Sequence, residues 1–295
     1  MRSLGITFAA GLLGVLASGA VVAAPAGDAT LVWAGCGITK KAFMKELAAA
    51  YENKTGIHID LKGGGATKGI RNAANGSIHI GGACRVSMEK DELEKNAEQV
   101  PVAWDALAVI VNKNNPVDNI TFQQLRDVYK GKITNWKQLG GRDVPIELYV
   151  RRGKISGVGY MLRELVFANY EMEFTGTHVV KSSGPLEKGI VKNPNGFGTT
   201  GISSAKRRDV KILKLEGKKP NYENIKKGDY LLYRPLYLVR QRGRGDPRVD
   251  EFIKFALSNE GKAVIRKAGT VPYADALVLV MKQLDQYKRA TAQGL

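Results

Sequence analysis

Glycine turns and one arginine–serine element hold the residues whose types and spacing can do chemistry in this sequence. Gly35-Cys36-Gly37, Gly63-Gly64-Gly65 and Gly81-Gly82 each follow a short apolar run. Further on, Arg152 stands four residues before Ser156-Gly157. A glycine turn between a strand and a helix leaves backbone N–H groups free and brings the positive end of the helix dipole to the same point. Glycine lets an anion approach without a Cβ in the way. Thr67 and Ser156 add hydroxyl donors, and Arg152 can clamp an oxyanion through two parallel hydrogen bonds. The pattern predicts an oxyanion site.

The surrounding elements must bring these turns to one edge. Thr30–Ala34, Ile57–Leu61 and Ile78–Gly81 read as strands, with helical spacing at Phe43, Leu47, Ala50 and Tyr51 and a short helix over Thr67–Asn75. That is a β-α-β-α-β unit with a parallel sheet, whose ligand edge lies at the carboxyl ends of the strands. Leu107–Asn112, Ile146–Val150 and Tyr233–Val239 read as further strands. Thr121 is the candidate cap of a helix running to Lys130. Asp250–Ala268 carries an apolar helical stripe, and the lysine-rich Lys214–Asp229 reads as an exposed loop.

Composition bounds the rest. The 295 residues suit one large domain or two of about 130 each, and 44% hydrophobic with 25% charged residues is a globular balance. A net charge of +17 implies an anionic partner. Two cysteines exclude a disulfide scaffold and a four-cysteine zinc site. His58, His79 and His178 show no metal-ligand spacing, and no serine–histidine–acid order or paired-carboxylate motif stands out. No metal, cofactor or catalytic residue is expected. Arg2, the uncharged run Ile6–Val22 and the small residues Ala24-Pro25-Ala26 predict a signal peptide over residues 1–26 and a periplasmic mature chain.

Longer motifs carry a resemblance. Tyr51 to Gly56, Gly63 to Ile70, Leu125 to Trp136, Arg234-Pro235-Leu236-Tyr237 and Phe252 to Pro272 resemble the phosphate-binding component of bacterial phosphate ABC transporters, a type II periplasmic binding protein. The resemblance implies an α/β fold of two lobes with mainly parallel sheets and a ligand cleft between them. Lobe I would span 27–104 plus 235–295, and lobe II 105–234, with a hinge near Ala103–Leu107 and Arg234–Val239. It implies a monomeric periplasmic solute-binding protein, not an enzyme, for phosphate or a related tetrahedral oxyanion. Its partner would be an ABC permease or a sensor, with no nucleic acid.

Residue by residue, the resemblance puts Ile38 and Thr39 of the first loop, Ala66 and Thr67 of the second, Cys84 and Arg85 of the third, and Arg152, Ser156, Gly157 and Val158 of the fourth at the ligand. Ala66 stands where a serine donor is expected, Val158 where threonine is usual, and Cys84 where an aspartate often stands. Without that aspartate, phosphate and sulfate should be separated by less than about tenfold.

In the sheet order 2-1-3, Cys36 and Cys84 end neighbouring strands, so a Cys36–Cys84 disulfide is expected. Two readings stay open beside it. The pair could be free thiols that take a thiophilic oxyanion or soft metal, or the chain could be a non-transport interaction protein with a decayed anion site.

Overall fold

A computed structural model describes residues 30–88, 90–243 and 245–292; the expected signal peptide lies outside them. The chain opens with β1 (Thr30–Gly35), α1 (Gly37–Thr39), a π-turn at Lys40–Met44, α2 (Lys45–Thr55), β2 (His58–Lys62), α3 (Gly65–Ala74) and β3 (Ile80–Ala83). Then come the long β4 (Ala97–Asn112), β5 (Asn119–Ile120), α4 (Phe122–Tyr129), β6 (Glu147–Arg151), α5 (Gly157–Phe167), β7 (His178–Val180), α6 (Ser183–Lys192), β8 (Gly196–Gly201) and α7 (Ile202–Ala205). The remainder is β9 (Val210–Ile212), β10 (Lys214–Leu215), α8 (Tyr222–Lys227), β11 (Tyr233–Gln241), α9 (Pro247–Leu257), α10 (Asn259–Lys267), β12 (Val271–Pro272) and α11 (Val278–Ala292).

The strands run in the order β2-β1-β3-β11-β4-β8-β6-β7, so the first three take the expected order 2-1-3. Parallel pairs at each end (β1 with β2 and β3, β6 with β7 and β8) flank an antiparallel centre. β4 links the two halves. Through Ala106 it pairs with β11, and from Leu107 with β8. All its residues from Val102 to Asn112 are buried, which accounts for a stretch that is apolar but for Asp105 and Asn112. The result is a mixed α/β fold of two lobes.

Local signals explain most of the elements. Thr121 and Gln124 form a reciprocal capping box at the start of α4. Gly56, at φ 74°, ends α2 in the left-handed conformation that glycine adopts without strain. The single stripe expected over Asp250–Ala268 is two helices, because the Ser258 hydroxyl accepts the Gly261 N–H and starts α10 afresh.

Two expectations need correction. Lys214–Asp229 is not a bare loop: β10 pairs with β5, and Asn221 caps α8 through the Asn224 N–H. The C-terminal helix α11, placed with lobe I on sequence grounds, packs on α5 and α8 instead. Its Gln286 amide donates to the Leu231 and Tyr233 carbonyls, and its Lys282 ammonium to the Lys227 carbonyl.

Candidate functional site

Five strand ends converge on a cleft of about 390 Å³. From one half come the turns after β1 (Gly35-Cys36-Gly37) and β2 (Gly63 to Ala66). From the other come the end of β6 (Arg151), the start of α5 (Gly157, Val158), the turn after β7 (Lys181 to Gly184), and Ser204 of α7. Helices α3, α5 and α6 all start at this edge, so backbone N–H groups and helix dipoles are gathered there.

Gly64 and Gly65, at φ 147° and 83°, let the second turn bend into α3. Gly157 is required for a different reason. A Cβ there would overlap the Cys84 sulfur and sit 2.9 Å from the Ala66 Cβ. Its absence lets the start of α5 close directly onto the first half.

The charged side chains lining the cleft are Lys41, Arg151 and Lys181, and no carboxylate lines it among the described residues. The Arg151 Nη1 donates to the Ser183 Oγ at 2.9 Å and Nη2 to the Lys181 carbonyl at 3.2 Å, while its buried Nε has no hydrogen-bond partner. The Lys41 ammonium donates to the Ser204 Oγ at 2.6 Å, and burial pushes it below the ordinary lysine range. Glu187, fully buried 3.8 Å behind it, is held by the Thr200 hydroxyl and the Arg208 Nε. The arrangement can receive an anion on backbone N–H groups and fixed cations.

Several residues expected at the ligand lie elsewhere. Arg152 is exposed, and its backbone N–H donates to the Val180 carbonyl. Alternation at the end of β6 sends Arg151, not Arg152, toward the cleft. Arg85 is buried with a two-bond ion pair to Glu94, 2.8 and 2.5 Å, and its Nε donates to the Ile155 carbonyl. The Thr67 hydroxyl donates to that same carbonyl at 3.0 Å. Both residues therefore tie the two halves together behind the cleft.

The Thr39 hydroxyl donates to the Ala83 carbonyl, and buried Ile38 packs beside Gly201. The Ser156 hydroxyl is occupied as the cap of α5, accepting the Gly159 N–H at 3.3 Å. Only Ala66, Gly157 and Val158 of the expected set line the cleft directly, with Cys36. Sequence reasoning missed Lys41, Arg151, Ser183 and Ser204. The strand-turn-helix rule, applied to Val180-Lys181-Ser182-Ser183-Gly184, could have found Ser183.

The expected disulfide is not formed: Cys36 and Cys84 are buried free thiols in hydrogen-bonding contact. The Cys84 thiol donating to it pulls Cys36 down to about 6, helped by the Arg234 charge and the backbone N–H groups of Ile38 and Thr39, with burial opposing. The same contact, with burial, pushes Cys84 well up, so of the two it is Cys36 that ionises more readily. Beneath them Arg234, with no exposed surface, donates to the carbonyls of Cys84 (3.0 Å) and Gly157 (3.2 Å) and reaches Asp105 at 3.3 Å.

Two lobes with an anion-receiving cleft between the carboxyl ends of their strands define a solute-binding protein. A family model described as a PBP superfamily domain matches residues 22–260, and the chain belongs to that family. It is similar to a Clostridium perfringens substrate-binding protein described as a phosphate ABC transporter component and solved with bound phosphate. The identity is 30%, over 82% of this chain and 99% of that one, with a TM-score of 0.74. An ABC-type phosphate transport receptor from Vibrio cholerae is 29% identical over 82% and 99% of the two chains, with a TM-score of 0.63. The phosphate-binding protein PstS of Borreliella burgdorferi is 28% identical over 81% of this chain and 88% of its own.

Proposed function

We propose that this protein is a secreted, monomeric receptor for phosphate or a closely related tetrahedral oxyanion, which it delivers to an ABC permease without catalysing any reaction. The observation that carries the reading is the cleft itself: three cations, several helix starts and no carboxylate among the described lining residues, in a chain similar to phosphate-bound relatives. In this reading the lobes span 27–104 plus the strand and helices after 235, and 105–234 with α11 added. The N–H groups of the turns at Gly65 and Gly157 hold the anion's oxygens, Lys41 and Arg151 balance its charge, and β4 and β11 are the hinge. Opening at the hinge breaks contacts from both lobes at once, so release follows docking on the permease.

Selectivity falls to Cys36. An ionised thiol at the cleft floor accepts a hydrogen bond from the proton that hydrogen phosphate still carries and repels sulfate, which has none. Two like charges about 4 Å apart cost about 4 kcal/mol at an effective dielectric of 20. This replaces the sequence-based expectation of weak discrimination, which rested on a neutral Cys84.

Calorimetric titration is the test. Phosphate should bind one to one. Sulfate should bind at least about tenfold more weakly at pH 8 than at pH 5, and Cys36→Ser should flatten that dependence. A protein that takes up neither anion at any pH would defeat the reading.

A further inference from the structure

The cleft's cations and N–H groups suit oxygen atoms, yet two sulfur atoms lie at its floor. Cys36 lines the cleft and is 6% exposed; Cys84 lies beneath it, fully buried and in hydrogen-bonding contact. The two thiols come from neighbouring parallel strands, whose pairing at Gly35 and Gly82 fixes their relation, and the Cys36 N–H donates to the Gly82 carbonyl at 2.8 Å. The start of α5 caps the pair, with the space a Gly157 Cβ would need filled by the Cys84 sulfur. The oxyanion reading uses Cys36 alone as a ligand; a second thiol in contact with it, from Cys84, is not needed to touch an oxyanion.

We propose that Cys36 and Cys84 form a dithiol site for a trivalent arsenic oxyacid, As(OH)₃, at the floor of the oxyanion cleft. The inference rests on the proposed oxyanion reading only for access, since the acid must enter by the same cleft.

Uptake is a condensation. Each sulfur forms a bond to arsenic and one As–O bond breaks for each; the Cys84 thiol proton leaves with one hydroxyl as water, and where Cys36 is ionised the other hydroxyl takes its proton from solvent. As(OH)₃, one thiol, one thiolate and one proton give a dithiolate As–OH and two waters. Arsenic stays trivalent and no electrons are transferred. The remaining hydroxyl lies in a cleft built for oxygen.

A soft metal cation suits the site less well. Arg234 beneath and Lys41, Arg151 and Lys181 around the cleft repel a cation but not a neutral acid.

The test uses the mature protein, kept reduced with a phosphine, and equimolar sodium arsenite. Native mass spectrometry should show a one-to-one adduct formed with loss of two waters. Thiol labelling after brief denaturation should find both cysteines protected. Cys36→Ser and Cys84→Ser should each weaken arsenite binding by about 10²-fold or more, because the second bond is intramolecular. If a serine variant does not fold, protection of both thiols in the wild-type protein decides. No adduct, protection of one thiol only, or an adduct surviving in either folded variant overturns the proposal. A phosphate titration on the same preparation separates the two ideas. Phosphate binding without an arsenite adduct removes the dithiol site alone, whereas an adduct without phosphate binding removes the phosphate reading.

Discussion

The segment Ala83–Arg85 has two sides, and they treat charge in opposite ways. Behind it, Arg85 meets Glu94 through two hydrogen bonds, and its remaining N–H groups reach the carbonyls of Ile155 and Val86 and the Thr67 hydroxyl. Glu94 also accepts the Met88 N–H. In front, Arg234 is as deeply buried but leans mainly on two carbonyl oxygens, with a 3.3 Å approach to Asp105 and no partner for its Nε. Nearby, the Arg151 Nε is also unpartnered. The back is a finished ion pair within one half, tied to the other half through the Ile155 carbonyl. The front keeps positive charge in reserve, balanced in part by the Cys36 thiolate. Burial alone does not mark a functional arginine.

The largest expected effect tests the back. Glu94→Gln leaves the Arg85 charge buried without its carboxylate and should cost about 3–5 kcal/mol of stability, read by chemical denaturation. Asp105→Asn, the matching change in front, should cost about 1–3 kcal/mol, since Arg234 keeps its two carbonyl partners. Equal losses would erase the contrast.

Next in size is the cleft itself. Arg151→Ala should weaken phosphate binding by at least tenfold, in line with about 2–5 kcal/mol for truncating a buried charged contact. Arg152→Ala, on the exposed side, should change it by less than about 0.5 kcal/mol. Calorimetry on the two variants side by side would sharpen the comparison, and the reverse order would show that the end of β6 is rotated from the arrangement described here.

A further effect concerns pH. Cys36 is held at about 6 against an ordinary thiol value of 9.0. Its folded value is depressed, so the stability that its ionisation contributes is fully present above about pH 9 and is lost as pH falls through 6. Thiolate absorbance of the native protein should therefore titrate with a midpoint near 6. The melting-temperature gap between wild type and Cys36→Ser should narrow from pH 9 toward pH 5. A midpoint near 9 would mean that Arg234 and the Cys84 thiol do not act on Cys36.

Much of the frame was legible in the sequence because it is written in local signals. Glycines after short apolar runs marked the turns at β1 and β2. Thr121 marked the start of α4, and the motif stretches implied the two-lobe fold. Ala66, Gly157 and Val158 were found because they sit inside those turns. Other assignments failed where one residue of strand phase or one distant partner decided the outcome. Arg151 and Arg152 are indistinguishable by type; only the pairing of β6 with β7 and β8 sets which one faces the cleft. Arg85 looks like an anion ligand by type, but the fold sets Glu94 against it. Lys41 and Ser204 are 163 positions apart and meet only through the fold. The free thiol pair likewise depends on three elements, β1, β3 and α5, arriving at one point. Composition, caps and turns act over a few residues and can be read along the chain. The charge balance of a cleft is a property of side chains brought together from both lobes, so only the tertiary structure decided it.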